Sequence, residues 1–353
     1  MSGTGTFAFT VHPRARLRED LARAWRPLGL VPERVYDTAL RRLPLAPVTM
    51  ASVQIGGERV GHVVLVPFGA RHLLSNVEEG RRRVSRAVDR AAALGADVVG
   101  LGALTATVTA GGITLRERTD IAVTNGNAFT AAIVEDQIRM LLPHVSSKTS
   151  RPHVAIVGAT GSVGTAVTRL LARDSAGARL TLIARTAPRL EALAASVAGD
   201  VDVATAQSID AVGDADLVVL LTASADTLLG PEHLAPGAVV LDATQPRNTS
   251  PGLAAARPDV LVVDGGIVSI PTLRLVGGEI GLPDGRSYAC FAETAILALS
   301  GHTGHFSLGN PTLDQVDAIR ERARGLGHLG FRAADPTSFG RPVTFESRAA
   351  VIA

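Results

Sequence analysis

Two groups of residues in this chain could do chemistry. The first is Cys290, the only cysteine among 353 residues, set in the stretch SYACFAETAILALSG, residues 287–301. Phe291, Ala295, Ala298 and Leu299 recur at helical spacing, which puts the thiol in or just before the first turn of a helix. There the positive end of the helix dipole is expected to lower its pKa and raise the thiolate fraction. A thiolate beside a hydride donor suits reduction of a thioester through an acyl-enzyme. An inert core residue fits the same position, since free cysteine is among the most buried residue types. The residues alone leave both readings open.

The second group is a glycine triplet. In HVAIVGATGSVGTAVTRLLARD, residues 153–174, an apolar run from Val154 to Val157 reads as a buried parallel strand. Gly158, Gly161 and Gly164 follow, and Val167, Leu170 and Leu171 continue at helical spacing. Strand, glycine loop and helix together form a pyrophosphate cradle, with the phosphate charge met by the helix N-terminus. Gly158, Thr160, Gly161, Ser162, Val163 and Gly164 are therefore the expected dinucleotide contacts. The next strand, RLTLIAR, ends in Ala184, Arg185 and Thr186 where an NAD site usually carries an acid for the ribose hydroxyls. A guanidinium suits a 2′-phosphate, so Arg185 and Thr186 point to NADPH. Further strands are expected in ADLVVLLTAS, GAVVLDAT and PDVLVVDGG. Ligands of open parallel sheets lie outside the strands' carboxyl ends, which adds Ala223 and Ser224 to the cofactor contacts, Ser224 serving equally well as a helix cap.

The elements that must position these groups come from the whole chain. Hydrophobic residues make up 46%, aromatics 3% and charged residues 19%, and the formal net charge is +2. That is a globular composition with no nucleic-acid arm, no membrane span and no secretory leader, and the cytoplasm is the expected location. One cysteine excludes a disulfide within the chain and a multi-cysteine metal site, and no metal is expected. Lys148 is the only lysine, so neither tyrosine has the lysine four residues on that a Tyr-x-x-x-Lys centre needs.

The expected fold class is α/β. An N-terminal α/β acyl-substrate domain, residues 1–148, precedes a Rossmann-type doubly wound parallel sheet that binds NADPH, residues 149–285. A helical segment carrying the cysteine, residues 286–332, packs back, and residues 333–353 form a flexible tail. Helices are expected in RLREDLARAWRPLGL and RRRVSRAVDRAAALGA, strands and turns in ERVGHVVLVPFG and ADVVGLGALTATVTAGG, and an Asn-Gly turn leads into a long helix after TNGN.

SYACFAETAILALSG followed by FSLG at 306–309 closely resembles the catalytic segment of the long-chain acyl-[acyl-carrier-protein] reductases of cyanobacteria, which form fatty aldehydes. The similarity extends in order to GLGALTATV, TNGNAFTAA, HVAIVGATGSVGTAV, LIART, VVLDATQPRN and VVDGGIV, over roughly residues 10 to 331. The resemblance implies that Cys290 is the acyl-accepting nucleophile, that Gly158, Gly161 and Gly164 bind NADPH, and that Arg185 reads its 2′-phosphate. It implies an acyl-carrier-protein or acyl-CoA thioester as substrate. GHTGHFSLG departs from the family pattern, so neither His302 nor His305 is assigned a proton-transfer role. Glu293, one turn after the cysteine, reads as a dipole-favoured acid of the first turn or as a group that orients a neighbour.

The expected reaction is NADPH-dependent reduction of the acyl thioester to the aldehyde through acyl-Cys290. A ketone or imine reductase with a structural cysteine, and a catalytically silent nucleotide sensor, are the alternatives. Acyl carrier proteins are acidic, and Arg81, Arg82, Arg83, Arg86 and Arg90 would gather on one side of a helix as a docking face or as solvated charge.

Overall fold

The computed structural model describes residues 5–13, 27, 30–145, 151–174, 177–223, 229–343 and 345. Ser224 and the expected helix at RLREDLARAWRPLGL, apart from Pro27 and Leu30, lie outside the described residues. The chain forms two compact units. One comprises Met1–Gly126, Ile270–Gly309 and Glu321–Phe331; the other comprises Asn127–Ser269, Asn310–Arg320 and Arg332–Ala353.

The first unit is built on a six-stranded sheet. Strands β1 (Phe7–Val11), β2 (Val48–Ile55), β3 (Glu58–Leu65), β4 (Val98–Leu101) and β5 (Ala122–Thr124) are joined by a late strand, Arg274–Val276. The order is Arg274–Val276, β2, β3, β1, β4, β5. β1 pairs parallel with β3 and β4, and β4 with β5. β2 and β3 form an antiparallel hairpin whose turn uses Gly56 and Gly57 at φ 65° and 87°.

Both faces of this sheet are covered. Alternation along β1 sends Ala8 toward Val84, Ala87, Val88 and Ala91 of helix Val77–Ala93. Phe7 and Phe9 point the other way and meet Phe291 edge-on, with ring centroids 5.3 and 5.2 Å apart. Phe291 belongs to helix Ala289–Leu299, which packs on β1, β3 and β4. This contact is why the cysteine segment belongs to the N-terminal unit. A helix apolar on nearly every side needs a surface of its own to cover.

The second unit is a doubly wound sheet. Strands β6 (His153–Val157), β7 (Arg179–Ile183), β8 (Val203–Ala206), β9 (Leu217–Leu220), β10 (Val239–Asp242) and β11 (Leu261–Asp264) are arranged β11-β10-β9-β6-β7-β8, all parallel. The central strands β6, β9 and β10 are buried throughout, as parallel strands covered on both faces require, whereas edge strand β8 has no buried residue. The order reverses beside β6, and the ligand crevice of such sheets opens at that switch point.

The units do not follow the expected boundaries. The first break falls at Gly126, before helix Asn127–Leu141, which packs on helix Ser162–Arg173. Glu135 of the earlier helix is buried and accepts from both Arg139 and Arg320. Gln137 donates to the carbonyl of Asp264 and accepts from the N–H of Gly266. These bonds tie the helix to the nucleotide unit, although it precedes that unit's first strand.

The expected tail is also partly built in. Buried Asp264 accepts from Thr337 Oγ1 and from the N–H groups of Phe339 and Gly340, at 2.7, 2.9 and 2.8 Å, and pairs with Arg247. Residues 332–333, 337–338 and 341–342 are accordingly short strands.

Candidate active site

On the nucleotide unit, two of the three glycines are required by the backbone, and the third opens the helix. Gly158 stands at φ 87°, and a β-carbon there would lie 2.8 Å from the carbonyl oxygen of Leu221. One on Gly164 would lie 2.3 Å from the Gly158 oxygen, so helix and strand could not approach as closely. Gly161 precedes Ser162, the first residue of the helix, and its carbonyl accepts from the N–H of Thr165 at 2.9 Å. Ser162, Val163 and Gly164 then present the first-turn N–H groups, which have no partner within the helix. Backbone room and a helix N-terminus together fit a dinucleotide pyrophosphate. Asn127 donates to Ser162 Oγ at 2.9 Å, a support that the sequence did not signal.

Arg185 and Thr186 lie exposed just beyond β7. The carbonyl of Arg185 accepts from Gln207 at 2.8 Å, which orients this corner while leaving the guanidinium outside that bond. Arg189 reaches back to donate to the carbonyl of Thr160 at 2.7 Å, bringing a second guanidinium to the glycine loop. Ala223 is exposed beyond β9. The neighbouring Thr222 bonds to Asn248, whose loop is held by buried Asp242. That carboxylate accepts from the N–H groups of Thr244, Asn248 and Thr249 and from both threonine hydroxyls.

On the other unit, Cys290 is the second residue of helix Ala289–Leu299 and is partly exposed. The backbone N–H groups of Phe291, Cys290 and Ala103 lie where they favour the thiolate. Ala103 reaches that position with φ 49° and ψ −126°, a conformation costly for a residue with a β-carbon. Gly126, at φ 75°, lies against the cysteine so closely that a β-carbon there would be 2.2 Å from Cys290 Cβ. Asn125 donates to the carbonyls of Gly111 and Gly309 and accepts from Ser307 Oγ at 2.8 Å. TNGN and FSLG, distant in sequence, are therefore one structure around the thiol.

The thiol departs from expectation in its acidity. Burial pushes it up to about 12, the three N–H donors pull it down, and the charge of Glu293 adds to the rise. A helix end contributes only about 0.3–1 kcal/mol, so it loses to desolvation here.

Glu293 lies beyond the helix's first turn. It is fully buried, and Thr124 Oγ1 donates to its carboxylate. His305 is committed to structure, with Nδ1 accepting from the Val123 N–H and Nε2 donating to the carbonyl of Arg116. His302 has a buried Nε2 without a hydrogen-bond partner, and burial together with Arg322 lowers its pKa.

The arginine face is not continuous either. Arg83 is 4% exposed and donates to the carbonyls of Leu40, Pro67 and Leu43 and to Glu79, with its guanidinium 4.4 Å from the Phe68 ring centre. Arg81 bonds to the carbonyl of Val108, Arg82 pairs with Glu78 and Glu79, and Arg90 donates to Thr49. Arg81, Arg82, Arg86 and Arg90 are exposed, and only Arg83 is buried.

Residues 153–263 match the family model of the semialdehyde dehydrogenase NAD-binding domain. The chain is 29% identical to Aminotransferase PigE of Serratia sp. over 319 residues, 88% of this chain but 35% of that protein, so it spans about a third of that relative's length. It is 28% identical to the long-chain acyl-[acyl-carrier-protein] reductase of Synechococcus elongatus over 254 residues, 68% of this chain and 73% of that one. Among solved structures, the A chain of dipicolinate synthase from Bacillus subtilis is 14% identical, with a TM-score of 0.36 over 74% of this chain and 88% of that chain. The NAD-binding family model and the acyl-[acyl-carrier-protein] reductase relative support a nicotinamide cofactor without distinguishing NADP from NAD. Among the described residues, no helix is long and apolar enough to cross a membrane.

Proposed function

We propose that this protein is an NADPH-dependent oxidoreductase that reduces an acyl thioester, carried on acyl carrier protein or CoA, to the aldehyde through an acyl-Cys290 intermediate. One observation carries the reading: the chain's only cysteine stands at the start of a helix, against Gly126, where backbone N–H groups favour the thiolate. The same donors that favour a thiolate can also favour the oxyanion formed when that sulfur adds to a carbonyl.

In this reading, Gly158, Thr160, Gly161, Ser162, Val163 and Gly164 hold the pyrophosphate, and Arg185 takes the 2′-phosphate with Arg189 beside it. Bound there, the reduced nicotinamide supplies a hydride to the acyl carbon. Cys290 gives up its proton, attacks the thioester carbonyl and expels the carrier thiol. It holds the acyl group as a thioester and later leaves from the thiohemiacetal as the aldehyde forms. The N-terminal unit is the acyl-substrate unit, and exposed Arg81, Arg82, Arg86 and Arg90 form the surface suited to an acidic carrier.

The high thiol pKa favours a second reading, a ketone or imine reductase in which Cys290 is structural. Incubation with acyl-CoA in the absence of cofactor separates the two. Intact mass should gain one acyl group in the wild type and none in Cys290→Ala, and Cys290→Ala should lose aldehyde formation while keeping NADPH affinity within a few-fold. An unmodified wild type that consumes NADPH with ketones would decide for the second reading.

A further inference from the structure

Glu293 stands three residues after Cys290 on the same helix, so the two side chains lie on one face, with β-carbons about 5–6 Å apart. Its carboxyl group is fully buried, a costly placement for an ionisable side chain. Thr124 Oγ1 donates to it, and the same hydroxyl oxygen accepts from the N–H groups of Gly126 and Ser307, each at 3.4 Å. Gly126 is the residue pressed against the cysteine. The segment 124–126 thus runs directly from the carboxylate to the thiol.

We propose that Glu293 is the proton acceptor for Cys290. The S–H bond breaks and its proton passes to the Glu293 carboxylate. The freed electron pair on sulfur makes the S–C bond to the acyl carbon. The thioester C–S bond breaks, and the departing carrier thiolate recovers the proton from the Glu293 carboxylic acid. This step rests on the covalent reading above and deepens it.

Thiol and carboxylate behave as a pair that shares one proton, held as thiol with carboxylate or as thiolate with carboxylic acid. The Glu293 charge opposes a thiolate only until the proton has moved. The elements packed against this helix carry Glu58, Arg59 and His62 on β3, and Arg286 and Tyr288 on strand Arg286–Tyr288, while β1 and β4 carry no ionisable side chain. His12 follows β1, and His305 is bonded beside β5. All of these groups stay in place in the variants below.

The test uses the whole chain, whose single cysteine makes labelling unambiguous. Alkylation by iodoacetamide is followed by intact mass across pH, alongside acylation by acyl-CoA without cofactor. In Glu293→Gln the thiol should become more acidic, with alkylation at pH 8 faster by about threefold or more. Acylation should nevertheless slow by at least about tenfold, because no group takes the proton. A purely structural role would slow both reactions together. Alkylation unchanged, or acylation undiminished, overturns the proposal. Glu293→Asp keeps the charge at shorter reach. It should hold the alkylation midpoint while acylating more slowly than wild type, and wild-type acylation in this variant overturns the proposal even if the glutamine variant does not fold. A wild type that alkylates but never acylates would instead sink the covalent reading on which the step depends.

Discussion

Replacing Gly126 with alanine probes the join between the TNGN turn and the cysteine. Two costs add. At φ 75° an L-residue gives up about 1–2 kcal/mol relative to glycine. The new β-carbon would also stand 2.2 Å from Cys290 Cβ and 2.4 Å from Cys290 Cα. Neither atom is the free end of a flexible side chain, so the helix start or the turn must shift. Overpacking of this kind costs about 1–3 kcal/mol, for a total of about 2–5 kcal/mol. Gly95 supplies the control, because it has φ 78° and no heavy atom within 4 Å of its added β-carbon. Gly95→Ala should therefore show the conformational cost alone, about 1–2 kcal/mol. Urea unfolding followed by circular dichroism measures both, with the two units fitted as separate transitions if they resolve. Dinucleotide binding should survive Gly126→Ala, and Cys290 alkylation should change. Equal losses for the two variants, or a loss at Gly126 within about 0.5 kcal/mol, would refute the close contact.

Arg185→Asp should shift the cofactor preference from NADPH toward NADH, read as the ratio of the two kcat/KM values, since it exchanges a phosphate partner for an acceptor of ribose hydroxyls. An unchanged ratio would clear Arg185 of reading the phosphate. Arg83→Ala should cost about 3–5 kcal/mol in urea unfolding, because it strips three carbonyls and Glu79 of a buried donor, whereas exposed Arg82→Ala should stay within about 1 kcal/mol. Similar losses for the two would mean that Arg83 is no more than surface charge. The raised thiol pKa also sets a sign for stability. The folded state holds the Cys290 proton more tightly than the unfolded chain, so this contribution is complete below the ordinary thiol range and fades as pH rises toward about 12. Wild type should lose stability relative to Cys290→Ala over that range, and parallel pH profiles would refute the shift.

The nucleotide unit was legible because its determinants are local. A buried strand, a glycine loop and a helix within residues 153–174 each follow from adjacent residues, and β9, β10 and β11 follow from short apolar runs ending in polar residues. The position of Cys290 near a helix start was legible from spacing for the same reason. The environment of that thiol was not. A helix dipole can be read from one helix, but desolvation depends on what covers the sulfur, and here the outcome came from burial, the Ala103 N–H and the Glu293 charge together. Glu293 reads from sequence as a dipole-favoured acid or as a group that orients a neighbour, and only Thr124, 169 residues away, shows where its carboxylate is committed. Arg83 looked like one of five arginines on an exposed face, yet its carbonyl partners sit 16 to 43 residues earlier in the chain. The break at Gly126 was hidden for a related reason, because Gln137 and Glu135 are committed by partners after residue 260. The sequence by itself determined what the local backbone must do and which residue types were available for chemistry. Which of them lost their water, and which charges they met there, was decided only by tertiary contacts between distant segments, because desolvation and charge pairing are properties of the space around a group.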